Sequence, residues 1–145
     1  MFSNILVGYD GSKNAALAVE KAAEIAGLCE SELTVLTIFR HHSLLEASLS
    51  MVRVNDPGSL DDAMRSYATE TAEFGKAIAR DNGMSGARAF VRAGHPARSM
   101  IDFAEQHDVD LIVIGSRGVG SVENYLLGSV SHKVSGLARC PVLVV

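Results

Sequence analysis

The chain has 145 residues, a length that suits one domain, because two halves would each be too small to bury a stable core. Apolar residues make up 48% of the sequence and charged residues 21%, which is the balance of a globular protein and excludes a disordered chain. A formal net charge of −4 and an isoelectric point near 5.7 argue against a nucleic-acid partner, whose phosphates require a basic face.

The sequence also offers no export or membrane signal. Its start, MFSNILVGYD, lacks a basic region followed by a long apolar stretch, and its apolar runs are far shorter than the roughly 20 residues that span a bilayer. The two cysteines, Cys29 and Cys140, lie far apart and do not form a disulfide-like framework. We therefore expect a cytoplasmic protein with no membrane partner.

Short β-branched runs alternate along the chain with longer helical patterns. Three of the five runs are almost continuously apolar, which is typical of strands covered on both faces of a parallel sheet. The predicted strands are Asn4–Gly8, Leu33–Phe39, Ala87–Arg92, Leu111–Gly115 and Val142–Val145.

Four amphipathic patterns at helical spacing separate these strands. The residues that repeat at helical spacing in the first are Ala15, Val19, Ala22, Ala23 and Ala26, and those in the second are Leu60, Met64, Tyr67, Thr71, Phe74 and Ile78. The third contains Ala97, Ile101 and Ala104, and the last contains Val130, Val134, Leu137 and Ala138.

Capping residues support these helices. Ser12 and Ser59 are predicted to cap the first two helices, and Gly27 and Gly83 to end them. Pro96 suits a first helical turn, and Pro141 stops the last helix before the final strand. The segment 40–58 is long for a connection, and we expect it to be mobile or partly helical.

The alternation β-α-β-α-β-α-β-α-β predicts an α/β fold. Right-handed crossovers give a doubly wound, five-stranded parallel sheet with helices on both faces and strand order 3-2-1-4-5. Ligands of such sheets bind at the carboxyl ends of the strands, where the winding direction reverses. Here that point lies between the first and fourth strands.

The strongest functional signal is GSRGVGSVENYLLGSVS, residues 115–131, which links the end of an apolar strand to the start of a helix. Glycines at 115, 118 and 128 allow close approach of a ligand to the backbone, and Ser129 and Ser131 offer hydroxyl groups. The N–H groups at a helix start favour an anion such as phosphate, to which Arg117 can add a positive charge. The alternative is a glycine-rich surface turn that ends in a capped helix.

A second signal follows the first strand, in Gly8-Tyr9-Asp10-Gly11-Ser12. In the predicted topology Asp10 flanks the same crevice as Gly115. A carboxylate there can accept hydrogen bonds from ribose hydroxyls or hold Mg²⁺ through water. The alternative makes Asp10 a turn residue and Ser12 a helix cap only.

The sequence resembles that of a known protein family. Gly115-x2-Gly118-x9-Gly128-Ser129 matches the G-2x-G-9x-G-(S/T) motif of ATP-binding universal stress proteins. The resemblance covers essentially the whole chain, including ILVGYDGS, AGHPA, DLIVIGSRG and the closing CPVLVV. It implies a fold similar to that of the adenine nucleotide alpha hydrolases, which is Rossmann-like, with a bound adenine nucleotide.

The resemblance also implies individual contacts. Adenine would lie near Tyr9, Ile38 and Ile114, and the ribose against Asp10. The phosphates would lie on Gly115, Gly118, Gly128, Ser129, Val130 and Ser131. The resemblance further implies a homodimer through the last strand, here Val142–Val145.

Three functional classes remain open from the sequence. The leading one is an ATP-binding stress-response module whose nucleotide occupancy alters its shape or partners, with no catalytic residue and no metal site of its own. The second is a slow ATPase or an autophosphorylating protein, with Ser129 or Ser131 as acceptor. The third is a flavin-binding redox module, which the absence of tryptophan and the few aromatic residues disfavour.

Overall fold

A computed structural model describes residues 1–40, 57–118 and 127–145 of the chain. The strands are β1 (Asn4–Gly8), β2 (Glu32–Phe39), β3 (Arg88–Ala93), β4 (Leu111–Ile114) and β5 (Val142–Val144). The helices are α1 (Lys13–Cys29), α2 (Pro57–Asp81), α3 (Pro96–Gln106) and α4 (Ser129–Leu137). Each predicted strand is therefore present, with its bounds moved by one residue at most. Most of the 40–58 connection lies outside the described residues.

The five strands are parallel and pair in the order β3-β2-β1-β4-β5, which confirms the predicted topology. In the central pair Ile5 lies opposite Leu111 and Val7 opposite Val113. Successive strand residues point to opposite faces, so the apolar runs supply two cores at once. One contains Val7 and Val35 beneath α1 and α2, and the other contains Leu6 and Ile112 beneath α3 and α4.

The helix boundaries agree only partly with the caps predicted from the sequence. Ser12 caps α1 as predicted, its Oγ accepting a hydrogen bond from the N–H of Ala15 at 3.2 Å. Gly27 does not end that helix, because the N–H of Glu30 still bonds to a carbonyl in the last turn and Glu30 takes the left-handed conformation (φ 56°). Ser59 is not a cap, since α2 already begins at Pro57, a residue well suited to a first turn. Gly83, at φ +95°, does follow the end of α2.

The buried face of α2 agrees only in part with the predicted one, since Ile78 packs against the core but two aromatic residues do not. Tyr67 and Phe74 are 73% and 65% exposed, whereas the residues buried against the sheet are Ala68, Ala72, Gly75 and Ala79. Only small side chains allow this helix to approach so closely: a Cβ at Gly75 would lie 2.8 Å from the Tyr9 ring and 2.9 Å from Val35. The larger residues are displaced to the flank, where the Phe74 ring stacks on that of Tyr9 at a centroid distance of 6.5 Å.

This contact predicts opposite effects for two glycine-to-alanine substitutions in helices. Gly75→Ala should lower the free energy of unfolding by about 1–3 kcal/mol, because overpacking against two buried side chains outweighs the better helix propensity of alanine. Gly27→Ala should raise it by roughly 0.5–1 kcal/mol, since a Cβ there meets no atom within 4 Å. Urea denaturation of both variants measures the difference. Equal stabilisation by the two substitutions would contradict the close approach of α2 to the sheet.

Candidate functional site

A cavity of about 290 Å³ lies where the winding of the sheet reverses, at the carboxyl ends of β1 and β4. This is the position predicted for a ligand in a doubly wound fold. Nine residues singled out from the sequence line it: Tyr9, Asp10, Ile38, Ile114, Gly115, Arg117, Gly118, Ser129 and Val130. The two sequence signals therefore meet in one place, although about a hundred residues separate them along the chain.

Asp10 and Gly118 form the contact between the two signals. The Oδ1 of Asp10 accepts a hydrogen bond from the N–H of Ser12 at 2.9 Å, across a turn in which Gly11 has φ +87°. A Cβ on Gly118 would lie 2.5 Å from the Oδ2 of Asp10. Asp10 is therefore both a turn residue and an exposed carboxylate on the cavity wall.

Gly115 is needed for a reason that the sequence did not reveal. Its position is buried, and a Cβ there would lie 2.8 Å from the carbonyl carbon of Asn14 and 3.0 Å from the nitrogen of Ala15. The backbone that comes closest to Gly115 is thus the first turn of α1. This packing holds the start of α1 against the carboxyl end of β4 and so sets the width of the cavity.

Ser116, which no sequence motif marks as important, connects the elements around the cavity. Its N–H donates to the carbonyl of Val145 at 2.7 Å, and its own carbonyl accepts from the Oγ of Ser131 at 2.8 Å. The amide of Asn14 donates to its Oγ at 3.1 Å. One residue thus joins β5, α4 and α1 beside the cavity.

The two helical serines have different surroundings. Ser131 is 2% exposed, and its hydroxyl donates to the carbonyls of Ser116 and Gly128 at 2.8 and 3.1 Å. Neither Ser131 nor Gly128, which is the N-cap of α4, lines the cavity. Ser129 is exposed and lines it together with Val130. The N–H groups at the start of α4 are at this end of the cavity, where a helix favours an anion.

The position of Tyr9 is held by two hydrogen bonds of its backbone and by the burial of its side chain. Its N–H donates to the carbonyl of Leu36 at 3.0 Å, and its carbonyl accepts from the Oγ1 of Thr37 at 2.8 Å. The side chain is 6% exposed. Burial, and secondarily the adjacent Asp10 carboxylate, raise the pKa of the Tyr9 phenol, which is therefore neutral at physiological pH.

Sequence reasoning missed several residues that line the cavity. Arg40 lies just after the carboxyl end of β2, and Asp10 lies just after that of β1. Because the carboxyl ends of parallel strands share one edge of the sheet, Arg40 could have been predicted as a lining residue. Met100 and Pro96 come from the start of α3, and the Met100 methyl occupies the space that a Cβ at Gly8 would need. No local motif marks this last contact. The other lining residues not predicted as ligand contacts are Gly8, Ser12, Ala15 and Leu36.

Several other residues that could carry chemistry lie outside this cavity. His95 is the N-cap of α3, and its side chain makes no capping hydrogen bond. His107 stacks on Phe103 at 3.9 Å between ring centroids. Burial raises the pKa of the half-buried Cys140 thiol. Across residues 1–40, 57–118 and 127–145, no three His, Cys, Asp or Glu side chains are grouped as metal ligands, and no helix is long and apolar enough to cross a bilayer. His41 and His42 lie outside the described residues.

Comparison with known proteins agrees with the fold and with the motif. The family model described as "Universal stress protein family" matches residues 1–145. The chain belongs to the universal stress protein family. The universal stress protein YxiE of Bacillus subtilis (strain 168) is 36% identical over 149 residues, covering 100% of this chain and 99% of the relative. Universal stress protein UspA from Lactobacillus plantarum superposes with a TM-score of 0.82 at 26% identity, covering 99% and 97% of the two chains.

Two further universal stress protein structures with this fold contain a nucleotide. One, described as a complex with cAMP, has a TM-score of 0.73 at 23% identity and covers 99% of this chain and 97% of its own. The other, from Archaeoglobus fulgidus in complex with dAMP, has a TM-score of 0.65 at 22% identity and covers 98% and 96%. At these identities the likeness establishes a shared fold.

The surroundings of Gly115 and Gly118 predict that a methyl group added at each position will change the stability of the protein by different amounts. Gly115→Ala should lower the free energy of unfolding by about 1–3 kcal/mol, because the new Cβ meets rigid helix backbone. Gly118→Ala should change it by less than about 0.5 kcal/mol, since the exposed Asp10 carboxylate can rotate away. Thermal or urea unfolding compares them. A Gly115→Ala variant as stable as Gly118→Ala would show that α1 does not pack on Gly115.

Proposed function

We propose that this universal stress protein binds an adenine nucleotide, ATP in preference, in the cavity between β1 and β4. The observation that carries the proposal is the contact of Gly118 with Asp10, because it joins the glycine motif and the acidic turn in one cavity. A binding site of this kind needs an apolar region with a few convergent polar groups.

The lining residues fit the parts of such a ligand. Leu36, Ile38 and Ile114 form an apolar region suited to a purine ring. Asp10 supplies a carboxylate that can accept hydrogen bonds from ribose hydroxyls. Arg117 and the start of α4 supply positive charge and N–H donors for phosphate. We assign to Gly128 and Ser131 the indirect role of shaping the start of α4.

The nucleotide-bound neighbours support this proposal at the level of the fold, which holds cAMP in one protein and dAMP in another. The preference for ATP rests on the glycine spacing. We propose that Mg²⁺, when present, is held by the phosphates and through water by Asp10, since no described group of three His, Cys, Asp or Glu side chains forms a metal site.

We propose a binding and signalling role in the cytoplasm, with slow turnover of the nucleotide. Asp10, Arg117 and Ser129 line the cavity where we place ribose and phosphate, and none is a clear base for orienting an attacking water. If phosphoryl transfer to the protein occurs, Ser129 is the better acceptor, because the Ser131 hydroxyl is buried and bonded to two carbonyls.

Asp10→Asn tests the proposed ribose contact. The substitution keeps the size and turn chemistry of the side chain and removes its charge. Loss of a charged hydrogen bond to ribose should weaken ATP binding by roughly 1.5–3 kcal/mol, with or without Mg²⁺. A role confined to holding Mg²⁺ would weaken binding only when the metal is present. Isothermal titration calorimetry in both buffers separates the two.

The matched control is Asp108→Asn, at an exposed residue outside this cavity whose φ of 52° asparagine tolerates well. Its ATP affinity should equal that of the wild type. Wild-type affinity of Asp10→Asn in both buffers would remove Asp10 from the site, and the absence of adenine-nucleotide binding by the wild type would overturn the proposed function.

We also propose that two chains associate through β5, a sheet edge. The carbonyl of Pro141 and the N–H of Val145 form hydrogen bonds with β4. Because the backbone groups of successive residues point to opposite sides of a strand, the N–H and carbonyl of Val144 point to the open edge. An apolar edge with unpaired backbone groups favours association with a second strand.

Val144→Pro should remove one edge donor and block pairing while leaving the β4–β5 ladder intact. Light scattering should give twice the 15.4 kDa chain mass for the wild type and the single-chain mass for the variant. Circular dichroism confirms that the variant is folded. A wild-type monomer at micromolar concentration, or a folded dimeric variant, would refute pairing through this edge.

A further inference from the structure

A second cavity, of about 400 Å³, adjoins the candidate nucleotide site. The two share part of their walls, because Arg40, Pro96, Ser129 and Val130 line both. A group that lies on Ser129 and Val130 is therefore at the boundary between the cavities. The sequence motifs contribute His95, Pro96 and Ala97 of AGHPA and Ser129 and Val130 of the glycine motif to the second cavity.

Among the described residues, the lining of the second cavity has an excess of positive charge. Arg40, Arg98 and Lys133 lie on its described wall together with one carboxylate, that of Asp102. None of these three cations forms a salt bridge with another described residue. The N-termini of α3 and α4 both border the cavity, and their dipoles add to the positive potential.

This concentration of charge is opposite in sign to the whole chain, whose formal net charge is −4. Cations gathered in a concave surface on an acidic protein attract a localised anion, and all three side chains are exposed and so accessible to it. A nucleic acid would need a longer basic face than one cavity provides. A short polyphosphate fits the size and the charge.

We propose that the second cavity is a subsite for the terminal phosphates of a nucleoside 5′-polyphosphate, so that Arg98 and Lys133 set a preference for triphosphates over monophosphates. The inference rests on the proposed nucleotide site and deepens it. With the nucleoside between Asp10 and Ile38, the first phosphate reaches the start of α4. Phosphates beyond that point continue across the shared wall towards Arg98 and Lys133.

The test compares ATP with AMP on the full chain by calorimetry in one buffer. Arg98→Gln combined with Lys133→Gln should weaken ATP binding by about tenfold, the effect of about 1.4 kcal/mol of lost charge contacts, and leave AMP binding within twofold. Asp102→Asn should act in the opposite direction, tightening ATP binding relative to AMP. A gain in affinity cannot arise from misfolding.

The matched control is Lys21→Gln combined with Arg80→Gln, which removes the same charge from exposed positions on α1 and α2, outside both cavities. It should leave the ratio of ATP to AMP affinity unchanged. If this control lowers the ratio as much as the double substitution at Arg98 and Lys133, the net charge of the protein is responsible and the subsite is refuted.

Competition with inorganic tripolyphosphate distinguishes a failure of this proposal from a failure of the proposed function. It should compete with ATP in the wild type and at least about fivefold less well in the Arg98 and Lys133 double variant. A contrary result would be that AMP and ATP bind the wild type with equal affinity, and that they also bind the Arg98 and Lys133 double variant and the control double variant with equal affinity. That result would refute the subsite and leave the nucleotide site standing. If neither nucleotide binds but tripolyphosphate does so through Arg98 and Lys133, the proposed function is refuted while the anion site stands.

Discussion

The packing of the first turn of α1 on Gly115 is the contact on which the arrangement of the site depends. No side chain fits between the two backbones, so the start of α1 lies directly against the exit of β4. The acidic turn that precedes α1 is thereby brought to Gly118, and its carboxylate lies beside Gly118 on the cavity wall. The pairing of β1 with β4 at the centre of the sheet supplies the frame for this contact.

The described residues of the glycine-rich segment therefore combine a packing role with a place on the cavity wall. Gly115 accommodates a neighbouring helix, and Ser116 holds β5, α4 and α1 together through its backbone and hydroxyl groups. Gly118 and Ser129 line the cavity. Ser116 bonds to Val145 directly after β5, to Asn14 in α1, and to Gly128 and Ser131 at the start of α4, so the backbone that follows Gly115 is anchored to the surrounding scaffold.

The strand positions and their order could be predicted from the sequence because buried parallel strands are continuously apolar and crossovers are right-handed. The same rules place Asp10 and Gly118 at one edge of the sheet. The buried face of α2 could be predicted only in part from hydrophobicity. Ile78 packs against the core, but Tyr67 and Phe74 are largely exposed, because the closest approach of the helix to the sheet, at Gly75, leaves no room for a side chain. The contact of Met100 with Gly8 likewise depends on tertiary packing that no local pattern encodes.

The buried position of Tyr9 has a spectroscopic consequence. The chain contains three tyrosines and no tryptophan, so its intrinsic ultraviolet signal comes mainly from phenol rings. Tyr9 is almost completely shielded from solvent, whereas Tyr67 is largely exposed, and the two rings therefore have different polarity around them. Because Tyr9 also lines the cavity, its near-ultraviolet circular dichroism is a natural optical reporter of events at the carboxyl end of β1 that needs no added label.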